Sequence, residues 1–214
     1  MKLIRSLAFL ATLSVFSQGA DAPAIYRNDF QKVPRHKLPE EFLVIAGTFE
    51  IKTEKENAFL ELAGAPLDTF GLLFGPTEHT GLSASARFFG TKQGRRLPTF
   101  AISLNGIAGY RLQINPAKRA IELYKGDEQK ASAPYEWQPG TWNSLRLQLR
   151  TVEGKPIAEG KAWSGDATAE PSKWTIQFKD SEDVPPGRPG IWGTPYAGTP
   201  IRFDDLIVTK AISE

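Results

Sequence analysis

The stretch Trp142-Asn143-Ser144-Leu145-Arg146-Leu147-Gln148-Leu149-Arg150 decides the fold class. Leu145, Leu147 and Leu149 fall on one side of an extended chain, and Ser144, Arg146, Gln148 and Arg150 on the other. Successive side chains of a strand point to opposite faces, so a period of two specifies a half-buried antiparallel strand. The pattern recurs outward from this segment. Tyr110, Leu112 and Ile114 alternate with Arg111 and Gln113, Ile121 and Leu123 flank Glu122, and Phe100, Ile102 and Leu104 repeat it. Turn formers stand between the runs at Asn105-Gly106, Asn115-Pro116, Gly126-Asp127, Pro139-Gly140 and Glu153-Gly154. Strands are expected near residues 25–30, 42–52, 57–63, 69–75, 81–90, 98–105, 108–115, 119–125, 127–133, 142–152, 155–163, 173–178, 188–193 and 200–209. Short strands at this spacing predict an all-β sandwich or barrel. The 19 glycines and 16 prolines among them leave little room for long helices. No internal repeat or low-complexity linker divides residues 25–214, which read as one domain.

Residues 1–24 have a different character. Lys2 and Arg5 precede the apolar run Leu7 to Phe16, and small or polar residues follow from Ser17 to Ala24. That order specifies a secretory signal peptide, cut after Ala20 or Ala24, with an apolar run too short to anchor in a bilayer. Pro23 argues against cutting after Ala22. The expectation is an exported protein, periplasmic or extracellular, with no membrane insertion of the mature chain. There is no cysteine, so an exported domain has only its core to hold it, without disulfides. The whole chain carries 26 basic and 24 acidic residues; without Lys2, Arg5 and Asp21 these become 24 and 23. A net charge of +1 supplies no strong positive field, which argues against nucleic acid as a partner. The short basic clusters Arg35 to Lys37 and Lys92 to Arg96 read as solvated loops.

Three segments resemble the concanavalin A-like superfamily, in particular the laminin G-like domains of secreted bacterial proteins. Tyr26-Arg27-Asn28-Asp29-Phe30, followed by Phe42 to Glu50 with Gly47, is similar to the opening of that group. Trp142-Asn143-Ser144-Leu145-Arg146-Leu147, Lys161-Ala162-Trp163 and Glu170-Pro171-Ser172-Lys173-Trp174 resemble its central pattern. Gly190-Ile191-Trp192-Gly193 and Phe203-Asp204-Asp205-Leu206-Ile207-Val208 look like its closing strands. The resemblance implies a two-sheet antiparallel β-sandwich of the jelly-roll kind. It implies little about function, because this sandwich hosts lectins, hydrolases and structural modules.

The chemistry legible in the residues is sparse. Glycosidases set two carboxylates at a fixed separation, and the glucanases of this superfamily carry them as E-x-D-x-x-E along one strand. No such run occurs, and Glu122, Glu136, Asp166, Glu170 and Asp180 lack that spacing. His36 and His79, the two histidines, lie in loops, and no G-x-S-x-G elbow, zinc spacing or phosphate loop is present. The resemblance implies a structural calcium ion at the chain ends, where Asp204 or Asp205 would meet Asn28, Asp29 or Gly47. Calcium takes six to eight oxygens. The alternative is that one aspartate faces water and the other caps a strand end. For sugars, whose C–H faces stack on aromatic rings, the candidates are Tyr135, Trp137, Trp192 and Tyr196, with Arg95, Arg188 and Asn143 as hydrogen-bonding partners. Trp142, Trp163 and Trp174 read as core or edge packing. The function expected is a non-catalytic module binding a glycan or polysaccharide. The alternatives are a glycoside hydrolase-like enzyme with an unrecognised carboxylate pair, and an adhesion or structural module with no small ligand.

Overall fold

The computed structural model describes residues 23–65, 68–78 and 80–211. His79 and the signal-like segment through Ala22 lie outside the described residues. The described chain forms fifteen strands: β1 (Ala24–Asn28), β2 (Leu43–Ala46), β3 (Phe49–Glu54), β4 (Asn57–Leu62), β5 (Phe70–Leu73), β6 (Leu82–Phe89), β7 (Thr99–Leu104), β8 (Tyr110–Asn115), β9 (Ala120–Lys125), β10 (Glu128–Pro134), β11 (Trp142–Val152), β12 (Lys155–Ser164), β13 (Ile176–Lys179), β14 (Gly190–Thr194) and β15 (Ile201–Lys210). One 3-10 turn, Ala167–Ala169, is the sole helical element among the described residues.

Two antiparallel sheets face each other. The larger runs β13-β12-β11-β6-β15-β4-β3, with β1 also paired to β15, and the smaller runs β10-β9-β8-β7-β14-β5-β2. The inward sides of the two sheets supply the core. Leu145, Leu147, Leu149, Ala84, Phe88, Phe203 and Val208 from the larger sheet share it with Phe100, Ile102, Leu112, Ile114, Ile121 and Ile191 from the smaller. Each fully buried Leu, Ile or Phe contributes roughly 1.5–3 kcal/mol through its removal from water, which is how a cysteine-free chain holds two large sheets together.

The all-β expectation and the strand spacing hold, with one split. The run 42–52, read as one strand, is two strands in different sheets: β2 pairs β5 and β3 pairs β4. Gly47 makes the crossing, with φ +94 and a backbone so close to Phe70 that a Cβ would sit 2.7 Å from its side chain. Only glycine meets both demands cheaply. The first and last strands are neighbours, as the resemblance implied: Asn28 is opposite Leu206 and Ala24 opposite Thr209.

Candidate functional site

The outer face of the larger sheet is laid out in rows across neighbouring strands. In one row Trp142 stands opposite Phe89, Phe89 opposite Arg202, and Arg202 opposite Glu61. The next runs Trp163, Ser144, Arg87, Asp204, and the third Lys161, Arg146, Ser85, Ile207. Small residues therefore occupy the middle of the face, Ser144 on β11 and Ser85 on β6, while Trp142, Trp163 and the arginines rise around them. The result is a groove of about 710 Å³, whose lining includes Ser85, Arg87, Trp142, Arg146, Trp163 and Asp166. A second depression of about 400 Å³, lined among others by Asn57, Phe59 and Arg202, shares Trp142 with it.

Trp142 is half-buried and held on several sides. The Arg87 guanidinium lies 4.9 Å from its ring centroid, Phe89 at 5.7 Å and Phe59 at 6.4 Å. Trp163 is buried and donates its indole N–H to the Asp166 carbonyl at 3.0 Å, which fixes the chain that turns into the groove rim. Asp166 caps the 3-10 turn, accepting from the Thr168 hydroxyl at 2.6 Å and its N–H at 2.9 Å. Those hydrogen bonds hold its carboxyl below the usual range.

The charges of the groove are matched within it. Arg146 grips Glu170 at 2.8 and 2.9 Å, and Lys161 reaches the same carboxylate at 2.9 Å while lying 4.6 Å from the Trp174 ring. Arg87 donates to Asp205 at 3.1 Å, with Arg27 at 3.9 Å. Paired, partly desolvated guanidinium and carboxylate groups present fixed donors and acceptors without a net field.

The wall formed by the segment between β10 and β11 is anchored by Asn143, which is fully buried. Its carbonyl accepts from the Ser164 hydroxyl at 2.7 Å and the Tyr135 hydroxyl at 3.4 Å, and its amide donates to the Thr141 carbonyl at 2.9 Å. Gln138 and Thr141 of this wall face the groove.

The residues expected to bind sugar occupy several places, and none of them lines the groove. Tyr135 is half-buried against the core, and Trp137 is buried with its ring 5.3 Å from Phe100. Trp192 lies on the outer face of the smaller sheet, 7% exposed, covering Gly71 and donating to the Ser103 hydroxyl at 2.7 Å. Tyr196 and Arg95 sit on two loops that touch where Arg96 donates to the Ala197 carbonyl at 3.2 Å. Arg188 ties loops together, donating to the carbonyls of Gly75 at 3.0 Å and Glu41 at 2.5 Å. Exposed His36 meets Glu50.

The aspartate pair is brought beside β1 but is occupied by protein groups. Asp204, 2% exposed, accepts from the Asn57 amide at 3.1 Å and from the Asp205 N–H at 2.7 Å. Burial pushes its carboxyl up to about 6, and those hydrogen bonds offset only part of the rise. Asp205 sits at φ +48 in a bulge of β15 and pairs with Arg87. Asn28 and Asp29 turn their side-chain oxygens onto the N–H groups of Phe30 at 2.9 Å and Gln31 at 3.2 Å. Among the described residues no three histidine or acidic side chains gather to hold a metal. Asp204, Asp205, Asn28 and Asp29 each spend at least one side-chain oxygen on a protein donor, and they do not converge on a common point with a third acidic or histidine side chain among the described residues.

Trp142 and Trp163, read as packing residues, do pack, Trp163 buried and Trp142 against Phe89 and Phe59, and both also line the groove. The signal was present in the alternation, since Trp142 shares parity with Ser144 and Arg146, and Trp163 with Lys161 and Glu159. Both belong to the polar side of their strands. Trp174, the third of that group, does pack at an edge, under Lys161.

No family model and no curated protein matches this chain. Solved structures do. The carbohydrate recognition domain of Emp46p, known in metal-free and potassium-bound forms, is 11% identical with TM-scores of 0.57 and 0.56; each match covers 81% of this chain and 89% or 90% of that one. The carbohydrate binding module CBM66 from Bacillus subtilis is 10% identical with a TM-score of 0.55, covering 79% of this chain and 96% of the module. The lectin UEA-II in complex with galactose is 12% identical with a TM-score of 0.54, covering 89% and 100%. At such identities the likeness is one of architecture, and it agrees with the strand order and the two facing sheets: the chain has the two-sheet antiparallel sandwich of the concanavalin A-like jelly roll.

Proposed function

We propose that this protein is an exported carbohydrate-binding module and that the groove on the larger sheet is its site. The observation that carries the reading is the half-buried Trp142 ring standing over a floor of small serines, with Arg87, Arg146 and Asp166 around it. An indole edge offers an apolar face to sugar C–H groups, and the paired charged groups offer directed hydrogen bonds to hydroxyls. The kinship of fold with CBM66 and the lectins supports the same reading. The absence of catalysis is proposed on the state of the groove carboxylates. Glu170 and Asp205 are ion-paired, and the Asp166 carboxyl is held low. Asp204, the raised carboxyl of this face, is buried against the Asn57 amide and does not line the groove, whereas a general acid needs a raised carboxyl facing its substrate.

The test is a glycan array with the purified protein, repeated with Trp142→Ala after circular dichroism has shown its sheets intact. Binding that disappears with Trp142 supports the site. An array without signal sinks the function, and signal unaffected by Trp142→Ala moves the site elsewhere, first to the loops carrying Tyr135, Trp137, Tyr196 and Arg95.

A further inference from the structure

We propose that the groove and the depression beyond Trp142 form one cleft that takes several linked units of a neutral polysaccharide chain, with Trp142 as the shared partition the chain crosses. The inference rests on the carbohydrate reading above and adds the class of ligand.

Two observations carry it. The first is continuity. Trp142 lines both cavities, and the residues on either side of it belong to five adjacent strands, β12, β11, β6, β15 and β4. Trp163 marks one end, and Phe59 under the Arg202 guanidinium, 4.5 Å from its ring, marks the other. The rings converge above the strands, Phe59 lying 6.4 Å from Trp142, and the room for more than one sugar ring comes from two cavities, about 710 and 400 Å³, that meet at Trp142.

The second observation is charge. On the groove side Arg87 is paired with Asp205, and Arg146 and Lys161 with Glu170. On the far side Arg202 is paired with Glu54 at 2.8 Å and Glu61 at 3.5 Å. Lys55 and Glu56 also line the far side, so each cavity carries as many acidic as basic side chains. A uronate or sulfate meets no net positive field there, and the guanidinium groups are already engaged by protein carboxylates. A neutral chain meets donors and acceptors with no charge to unseat.

The probes are cellulose, xylan, mannan and mixed-linkage β-glucan, with alginate and heparin as anionic controls, followed by oligomers of the retained polymer from monosaccharide to hexasaccharide. Affinity gel electrophoresis ranks the polymers and calorimetry the oligomers. The expected result is retention by a neutral polymer that persists in molar salt, and affinity that climbs at least tenfold with oligomer length before levelling. Arg202→Ala, on the far side of Trp142, should lower affinity for the long oligomers severalfold and leave the shortest that bind unchanged, while Trp142→Ala weakens all of them. A monosaccharide binding as tightly as the hexasaccharide, or preference for the anionic chains, overturns the extended neutral cleft and leaves carbohydrate binding standing. No retention and no oligomer binding overturn both.

Discussion

Arg87 joins Trp142 to Asp205: its guanidinium lies 4.9 Å from the indole centroid and donates to the carboxylate at 3.1 Å. The two partners come from β11 and β15, on either side of β6, which carries the arginine. Asp205 reaches it only because the β15 bulge places this residue at φ +48 and turns the carboxylate toward β6. The pair packs against the Trp142 ring at the groove edge.

Asp205→Asn should release the arginine and loosen that ring. The pair is partly exposed, so the cost in stability is small, at most about 1 kcal/mol. The sharper readout is near-ultraviolet circular dichroism, where the tryptophan bands should shrink while the far-ultraviolet spectrum stays the same. Unchanged tryptophan bands would show that Arg87 does not orient the indole.

On the other sheet, Gly71 lies flat beneath Trp192. A Cβ at position 71 would come within 2.1 Å of the indole carbons, and the ring is pinned by its bond to Ser103. Gly71→Ala should therefore destabilise the protein by roughly 1–3 kcal/mol in urea unfolding, as overpacking does. In a Trp192→Leu background the same change should cost clearly less, because the clash is the cause. Additive losses would place the cost in the backbone instead.

Asp204 and Asp180 set opposite pH dependences. The Asp204 carboxyl rises from 3.8 to about 6 on folding, so the folded state binds its proton more tightly than the unfolded chain. Its contribution is complete below about pH 4 and is lost as pH rises through 6, a change on the order of 3 kcal/mol. Burial would also raise Asp180, but the Lys125 ammonium and the Tyr110 hydroxyl outweigh it and hold the carboxyl at about 2. That contribution is present above about pH 4 and lost as pH falls toward 2. Asp204→Asn should leave stability near pH 4 similar to the parent and raise it by about 1–3 kcal/mol at pH 8. A difference between the two proteins that does not vary with pH would refute the assignment.

Export carries its own check. β1 begins at Ala24, opposite Thr209 in β15. Cutting after Ala20 keeps this pair, and cutting after Ala24 removes it. Mass spectrometry of the protein from the periplasm or medium should give Asp21 as the first residue. An intact Met1 in the cytoplasmic fraction would remove the export reading.

Much of this architecture was readable residue by residue. The alternation of Leu145, Leu147 and Leu149 with Arg146 and Gln148 needs only the pleat of a strand, a property of neighbours along the chain. It therefore placed β11 and its relatives to within a residue or two, and Asn-Gly and Pro-Gly pairs marked their turns. Even the groove tryptophans were legible in principle, since Trp142 and Trp163 keep step with the polar sides of β11 and β12. Aromatic residues in loop-like stretches look better suited to sugar from sequence alone, yet Trp137 lies buried against Phe100.

What the alternation of Trp142-Asn143-Ser144-Leu145 could not specify was its company. That β6 lies between β11 and β15, bringing Arg87 against Trp142 and Asp205 at once, depends on contacts between segments far apart in the chain. So does the crossing at Gly47, where one run of residues divides between two sheets. Local periodicity assigns each side chain to a face, because backbone sterics act over a few bonds. Which faces meet, and where small serines leave a groove between larger neighbours, follows from the packing of the whole sandwich.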